Sequence, residues 1–215
     1  PMIVSCKKDD TNKTDDTTTT ATTTTTPSNE NKDPYANVDP ALRAEVEGLL
    51  ESKHKLYFND DGSFRVLILA DIHMNAASNP TTTENIKKRI KFLVDKENPN
   101  LVIFTGDNTL FSAGPTLAKM NINAIAGYVE EKKIPWCHVY GNHDHENALA
   151  LEKQQEIYES YEYCISKDVD GLSGVGNYVN GIYNKDGASM TVSGLTVANV
   201  AEHGINNKST MAASG

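Results

Sequence analysis

The sequence is poor in aromatic residues, cysteines, long apolar runs and positive charge. No stretch approaches the roughly 18 consecutive apolar residues of a membrane-spanning helix. Three cysteines among 215 residues are too few for a disulfide scaffold or a four-cysteine zinc site. Because 20 Lys and Arg face 29 Asp and Glu, the net charge is −9, which argues against a nucleic-acid-binding surface. These deficits leave a globular domain of moderate size with an acidic surface.

Residues 1–38 differ in composition from the rest of the chain. Ten threonines lie between Thr14 and Thr26, and such a stretch has no apolar face that could stabilise a fold, so we expect a disordered tether. Before it, Cys6 follows two apolar residues and a serine and precedes charged residues, which resembles the end of a bacterial lipoprotein signal. In that interpretation Cys6 is lipidated, and the protein is extracytoplasmic and anchored to a bacterial membrane. The alternative is an ordinary cysteine in a disordered tail.

The other two cysteines, Cys137 and Cys164, lie in the remaining part of the chain. An extracytoplasmic location would permit a disulfide bond between them. Two buried free thiols fit the sequence equally well, because free cysteine packs as a small apolar residue.

From residue 66 onward, buried strands alternate with amphipathic helices, which is the pattern of an α/β fold. Continuous apolar runs predict strands at 66–70, 101–104 and 136–140. Apolar residues at helical spacing predict helices at 83–97, 115–132 and 148–161. The resulting β-α-β-α-β order predicts parallel strands with right-handed crossovers.

Further elements are predicted on both sides of this unit. Asp39 followed by Pro40 is typical of a helix start, and the stripe of Val46, Leu49 and Leu50 predicts a short helix. Apolar residues on either side of the turn residues 59–62 predict a hairpin. A second hairpin is predicted from 177–184 and 189–197 around residues 185–187.

Each of the three strands in this unit ends in a cluster of polar residues. The clusters are Asp71-Ile72-His73, Thr105-Gly106-Asp107-Asn108 and Gly141-Asn142-His143-Asp144-His145. Ligands of open α/β sheets bind outside the carboxyl ends of the strands, so we expect these clusters to converge in space.

The side chains in these clusters have the chemistry of metal ligands. Asp71 and His73 are two residues apart and can point the same way in an extended segment. Asp107 follows a glycine that allows a close turn, and Asn142 offers a neutral oxygen. This mixture of carboxylate, imidazole and amide suits Mn, Fe or Zn. A carboxylate shared by two ions about 3.5–4 Å apart would form a dinuclear hydrolytic site.

The three clusters together resemble the motifs of the calcineurin-like metallophosphoesterases, a family that includes the purple acid phosphatases. Its pattern is D-x-H, then G-D-N, then G-N-H-D or G-N-H-E, and the resemblance covers about residues 64–146. Gly174-Val175-Gly176-Asn177-Tyr178 is similar to a segment of the bacterial, purple-acid-phosphatase-like branch. The resemblance implies a β-sandwich flanked by helices over residues 39–215, of which this chain holds the N-terminal part.

The family pattern implies a role for each metal ligand. Asp71 and His73 would bind the first of two metal ions, Asp107 would bridge both, and Asn142 would bind the second. A bridging hydroxide would attack the phosphorus of a phosphomonoester or phosphodiester substrate.

The same resemblance implies the catalytic roles. His143 would act near the leaving-group oxygen, as proton donor or as transition-state stabiliser, and would contact the substrate. Asp144 would hold His143 in orientation, and Asn108 would orient substrate or water.

Two motifs that complete the family's site are not found in this sequence. One carries a single histidine and the other is Gly-His-x-His, whereas His203 is the one histidine after His145. We therefore expect a domain that is incomplete at its carboxyl end, with weak metal binding and little catalysis by this chain alone. The alternative to an enzyme is a non-catalytic, surface-tethered binding module or an inactive fragment.

Overall fold

The computed structural model describes residues 2–6, 39–170, 174–184, 195–198 and 210–213, and within them the chain has a mixed α/β fold. The elements in chain order are β1 Met2–Cys6, α1 Pro40–Leu50, β2 Leu56–Tyr57, β3 Phe64–Leu69, α2 Pro80–Glu97, β4 Leu101–Thr105, α3 Pro115–Glu131, β5 Trp136–Val139, α4 Leu151–Glu159, β6 Tyr178–Asn180, β7 Ile182–Tyr183, β8 Leu195–Ala198 and β9 Thr210–Ala213. In the described ranges, we find no helix with the length and apolar character needed to cross a membrane.

The main sheet has the strand order β1-β3-β4-β5. Strands β3, β4 and β5 are parallel, with Ile68 opposite Ile103 and Ile103 opposite Cys137. The predicted β-α-β-α-β unit with parallel strands is therefore confirmed. Its polar strand ends all lie along one edge of this sheet.

The main sheet is covered on both faces. On one side, Val102 and Phe104 pack in an apolar core with residues of α2, α3 and α4. Leu101 and Ile103 point the other way and pack with residues of the smaller sheets, such as Ile182. These four residues of β4 are fully buried, which explains the continuous apolar run of that strand.

Two smaller sheets, β2-β7 and β6-β8-β9, form the second layer. The hairpin predicted around residues 59–62 is wrong. The turn at residues 59–62 does form, since the Asn59 N–H donates to the Ser63 carbonyl at 2.8 Å. However, β2 pairs in parallel with β7 rather than with β3. The second predicted hairpin agrees with the antiparallel pairing of β6 and β8, while its predicted turn at 185–187 lies outside the described residues.

Helices α1 and α2 begin at polar caps followed by proline. Asp39 Oδ1 accepts from the Ala41 N–H at 2.7 Å at the start of α1, as predicted. Helix α2 begins three residues before the predicted boundary, because Asn79 caps it through the Thr82 N–H. In α1 the predicted apolar stripe is only partly used, since Leu50 is buried while Val46 and Leu49 are exposed.

The chain start has a place in the sheet that the sequence did not predict. Met2–Cys6 forms β1, which runs antiparallel to β3 with Cys6 opposite Phe64. A lipoprotein cleavage before Cys6 would remove the first four residues of this strand, so β1 and a lipidated Cys6 are mutually exclusive. The other two cysteines, Cys137 and Cys164, are buried free thiols.

Candidate metal centre

The loop after β3 runs alongside the loop after β4. The His73 N–H donates to the Asp107 carbonyl at 2.8 Å, and the Met74 N–H donates to the Asn108 carbonyl at 2.9 Å. These bonds continue the parallel pairing of the two strands beyond their ends. They hold the D-x-H segment and the G-D-N segment side by side.

The loop after β5 approaches Asp107 through two glycines. A Cβ atom added to Gly106, whose φ is +98°, would lie 2.8 Å from Gly141 N, and one added to Gly141 would lie 2.2 Å from Asp107 Oδ1. The close approach allows the His143 N–H to donate to Asp107 Oδ1 at 2.9 Å. Glycine is required at both positions because any larger residue would force the loops apart.

Three side chains from these loops form a group that could hold a metal ion. His73, Asp107 and His143 each offer a ligand atom, and the three atoms lie within 4.8 Å of one another. The rings of His73 and His143 meet edge to face, with their centres 5.1 Å apart. The group joins one residue from each of the three predicted clusters.

The atoms of His73 and Asp107 fit a shared cation. His73 Nε2 is shielded from solvent and has no hydrogen-bond partner, although it lies 3.6 Å from Asp107 Oδ2. That separation is too long for a hydrogen bond. It suits two ligands of one ion, because Zn–N and Zn–O distances are about 2.0–2.2 Å each. The donor types also match Mn, Fe or Zn.

Asp71 and Asn142 flank this group along the chain, close to His73 and His143. Both residues are exposed, and Asp71 is not among the three whose ligand atoms converge. Neither side chain makes a hydrogen bond or an ion pair with another residue in the described part of the chain. Their oxygens are therefore available at the rim of the site.

Unusual backbone conformations concentrate in the same loops. Six described non-glycine residues have a positive φ, and two of them, Asn98 and Lys133, follow the last turns of helices, where this conformation is common. The other four lie in the loops after β3 and β4: Asp71 (53°), His73 (50°), Asp107 (50°) and Phe111 (55°). Such strain costs about 1–3 kcal/mol per residue and persists where the surrounding structure imposes it.

Asp144 ties the loops after β4 and β5 together. Its side chain is fully buried and accepts hydrogen bonds from the N–H groups of Gly141 at 2.8 Å, Thr109 at 3.0 Å and Asn108 at 3.1 Å. Burial raises the pKa of Asp144 to about 6, and the three amide donors oppose that rise. Asp144 is thus a structural tie between the second and third motifs.

The motif resemblance implies that Asp144 orients the His143 ring, but in the structure Glu146 makes that contact. Glu146 Oε2 lies 2.7 Å from His143 Nδ1, and this hydrogen bond raises the pKa of His143. Both residues lie in a 3₁₀ turn over His143–Glu146, where residues three apart share a face. The orienting carboxylate is therefore exposed rather than buried.

Asn108 also differs from the expectation of a substrate contact. Its side chain is fully buried, and its Nδ2 donates to the Val139 carbonyl at 2.9 Å. This bond links the G-D-N loop to the end of β5. Asn108 therefore holds the loop after β4 against the end of β5 and does not face a substrate.

Two buried asparagines outside the predicted motifs, Asn121 and Asn147, also hold the loops of the site in place. Asn147 Oδ1 accepts from the Ser112 N–H at 2.7 Å, and Asn121 Oδ1 accepts from the Ala76 N–H at 2.8 Å. Asn121 lies within α3 and Asn147 follows the 3₁₀ turn, so neither stands in a motif. Only their burial identifies them, and burial of a single polar side chain is not visible in a sequence.

Of the other described histidines, His54, His138 and His145 are not members of the group. His138 is buried in β5, where its ring stacks on Tyr158 and burial lowers its pKa to about 3. His54 stacks on Tyr163. His203 lies outside the described residues.

Comparisons with known proteins agree with the motifs. The calcineurin-like phosphoesterase family model matches residues 64–208. Phosphatase DCR2 of Saccharomyces cerevisiae is 27% identical over 157 residues, which covers 66% of this chain and 27% of that protein. Probable inactive purple acid phosphatase 28 of Arabidopsis thaliana is 28% identical over 159 residues, which covers 63% of this chain and 40% of the relative.

A solved structure also shows similarity. The nuclease MPE of Pseudomonas putida matches with a TM-score of 0.31 and 17% identity, covering 66% of this chain and 57% of the nuclease. The chain spans between 27% and 40% of the length of the curated relatives that it matches. The family model covers most of the chain and all three strand-end clusters. On that basis the chain belongs to the calcineurin-like phosphoesterase family.

Proposed function

We propose that the chain provides metal-binding and catalytic residues of a phosphoester hydrolase that uses two ions of Mn, Fe or Zn. The observation that carries this proposal is the convergence of His73, Asp107 and His143 at the carboxyl edge of the parallel sheet. Membership of the family supports metal-dependent hydrolysis of phosphate esters.

The ligands divide between two positions around Asp107. His73 Nε2 and Asp107 Oδ2 would hold the first ion, with the exposed carboxylate of Asp71 beside them. Asn142 would contribute its oxygen to the second ion, which shares Asp107. When bound, such a pair of ions supplies a hydroxide nucleophile and neutralises the charge of the phosphoryl group.

His143, the third member of the group, would serve the leaving group rather than bind an ion. Glu146 engages Nδ1 of its ring, which leaves Nε2 as the nitrogen that can donate a proton to the departing oxygen. The bond from the His143 N–H to Asp107 fixes the backbone of His143 against the metal ligand. Asp144 keeps this arrangement in place through its amide contacts.

The proposal is tested by hydrolysis assays on metal-stripped protein. Purified 215-residue chain is treated with EDTA, supplied with Mn²⁺, Fe²⁺ or Zn²⁺, and assayed with 4-nitrophenyl phosphate and bis(4-nitrophenyl) phosphate. We expect low activity, because the two motifs that complete the family's site are not found in this sequence. This activity should require the metal and should be lost in Asp107→Asn, because the charge that binds the ions is removed. The matched control is His145→Gln, a neighbouring exposed histidine outside the group. Equal activity of wild type and Asp107→Asn would refute the proposal.

A non-catalytic binding module is the second candidate, favoured by one observation. Several of the curated relatives are named probable inactive purple acid phosphatases. In that case, Asp107→Asn would leave binding of a protein or surface partner nearly unchanged. Metal-dependent turnover by the wild type decides against this candidate.

We also propose an extracytoplasmic location through a lipid on Cys6. The sequence around Cys6 supports this proposal, whereas the pairing of Met2–Cys6 with β3 opposes it. Intact-mass analysis of protein expressed from the natural gene distinguishes the two. A lipidated Cys6 at the amino terminus supports the anchor, and an unmodified Cys6 preceded by Ser5 contradicts it.

A further inference from the structure

Phe111 is an aromatic residue that the fold itself does not use. Its side chain is 72% exposed, and its backbone has a φ of 55°. An exposed aromatic ring contributes little burial free energy, and a bulky residue with positive φ is strained. Neither feature stabilises the protein, so both require another explanation.

The backbone on either side of Phe111 is held by buried contacts. The Leu110 N–H donates to the Met74 carbonyl at 2.9 Å, and the Ser112 N–H donates to Asn147 Oδ1 at 2.7 Å. Ser112 and Asn147 are both buried. Because both neighbours are fixed, the strained conformation of Phe111 is imposed and its ring is presented to solvent.

These contacts join the segment that carries Phe111 to the loops of the candidate metal centre. Leu110 is hydrogen-bonded to Met74, which directly follows His73. Ser112 is hydrogen-bonded to Asn147, four positions after His143. Phe111 itself lies four positions after Asp107 in the same loop. The ring is therefore carried on a segment that is joined to all three loops of the site.

We propose that Phe111 is a substrate-binding residue, an aromatic platform for phosphate esters whose leaving group contains a planar aromatic ring. This inference rests on the proposed hydrolase function and specifies its substrate class. Aromatic rings that stack or meet edge to face gain free energy beyond that of area burial. The metal centre would bind the phosphoryl group while Phe111 packs against the ring attached to it.

Phe92 provides a matched control. It is also an exposed phenylalanine, 63% accessible, but it lies on the outer face of α2. Lys96 Nζ lies 6.0 Å from the centre of its ring. Removing the Phe92 ring changes surface hydrophobicity to a similar extent without altering the loops of the site.

The test compares two ligands that cannot be hydrolysed. Phenylphosphonate and methylphosphonate carry the same headgroup, and their affinities for the 215-residue chain in saturating Mn²⁺ are measured by calorimetry. We expect phenylphosphonate to bind roughly three- to tenfold more tightly, which is the range of aromatic pair interactions. This preference should vanish in Phe111→Ala and decrease in Phe111→Leu, and it should persist in Phe111→Trp and Phe92→Ala.

The outcomes separate this inference from the proposed function. If both phosphonates bind with equal affinity, or if Phe111→Ala keeps the preference, the aromatic platform is refuted while the metal centre stands. If neither phosphonate binds in the presence of Mn²⁺, the proposed function fails and the platform fails with it. Since the Phe111 ring is exposed, its removal should leave the melting temperature unchanged, and Phe111→Trp provides a second, ring-retaining check.

Discussion

Gly141 lies against Asp107 so closely that a Cβ atom at Gly141 would stand 2.2 Å from Asp107 Oδ1 and 2.3 Å from Asp107 N. The absence of a side chain at this position therefore sets the spacing between the loops after β4 and β5. Gly106 contributes from the other side, since its own Cβ would lie 2.9 Å from the Cα of Gly141. Gly106 and Gly141 are thus both required by the same close contact between the loops after β4 and β5.

Replacing Gly141 by alanine should displace Asp107. The added methyl group would collide with backbone as well as side chain, and overpacking of this kind costs about 1–3 kcal/mol. We expect Gly141→Ala to lower the free energy of unfolding by that amount and to weaken Mn²⁺ binding. Both quantities are measured, by urea denaturation and by metal titration.

Gly48 offers the matching control. An added Cβ at Gly48 meets nothing within 4 Å, and the residue lies in α1. Gly48→Ala should raise the free energy of unfolding by about 0.5–1 kcal/mol and leave Mn²⁺ affinity unchanged. Equal behaviour of the two alanine variants would contradict the close contact at Gly141.

Asp144→Asn should destabilise the protein more than any change at Glu146. The asparagine would present an amide N–H₂ group to backbone N–H donors, which leaves buried groups without acceptors and costs about 2–4 kcal/mol. Glu146→Gln, by contrast, changes an exposed side chain. Urea denaturation of both variants tests the assignment, and an Asp144→Asn protein as stable as the wild type would contradict it.

The parallel unit and its polar strand ends were predictable because their signals are local. The apolar runs of β4 and β5 span strands that are almost entirely buried, whereas in the run of β3 Leu67 and Leu69 are buried and Val66 and Ile68 are partly exposed. Parallel strands must place their carboxyl ends at one edge of the sheet. The partner of β2 was not predictable in this way. The turn at 59–62 that follows β2 does form, yet β2 pairs with β7, more than 120 residues away in sequence.

Within the site, the candidate ligands were predictable, but their supporting contacts were not. The letters G-N-H-D place Asp144 next to His143, and adjacency suggested a contact between the two side chains. In the 3₁₀ turn the next residue on the same face is Glu146, so the contact goes there. The inward direction of Asp144 depends on the close approach of a second loop, which only the three-dimensional structure reveals.

Acid should destabilise the protein partly through Asp95 on α2. A hydrogen bond from Tyr128 Oη at 2.5 Å, followed by one from Lys91, lowers the pKa of Asp95 to about 2. A carboxyl group with a depressed folded-state pKa stabilises the protein above its unfolded pKa of about 4, and this contribution is lost as pH falls toward 2. We expect the melting temperature to decline over that interval.

Asp95→Asn isolates this contribution. The variant should be less stable than the wild type at neutral pH and should lose less stability between pH 4 and pH 2. Glu131→Gln, an exposed position on the adjoining α3, should follow the wild-type profile. If the stability of Asp95→Asn falls between pH 4 and pH 2 as steeply as that of the wild type, the Tyr128 contact does not stabilise the fold.

The most direct test of the metal centre is Mn²⁺ binding followed by electron paramagnetic resonance. The wild-type chain is titrated beside Asp107→Asn, His73→Asn and the control His145→Gln. We predict weak but saturable binding by the wild type and by the control, and an affinity loss of at least about tenfold in the other two, since even outer contacts of metal sites have effects of that size. Equal Mn²⁺ affinity in all four proteins would show that the convergence of His73, Asp107 and His143 is not a metal site.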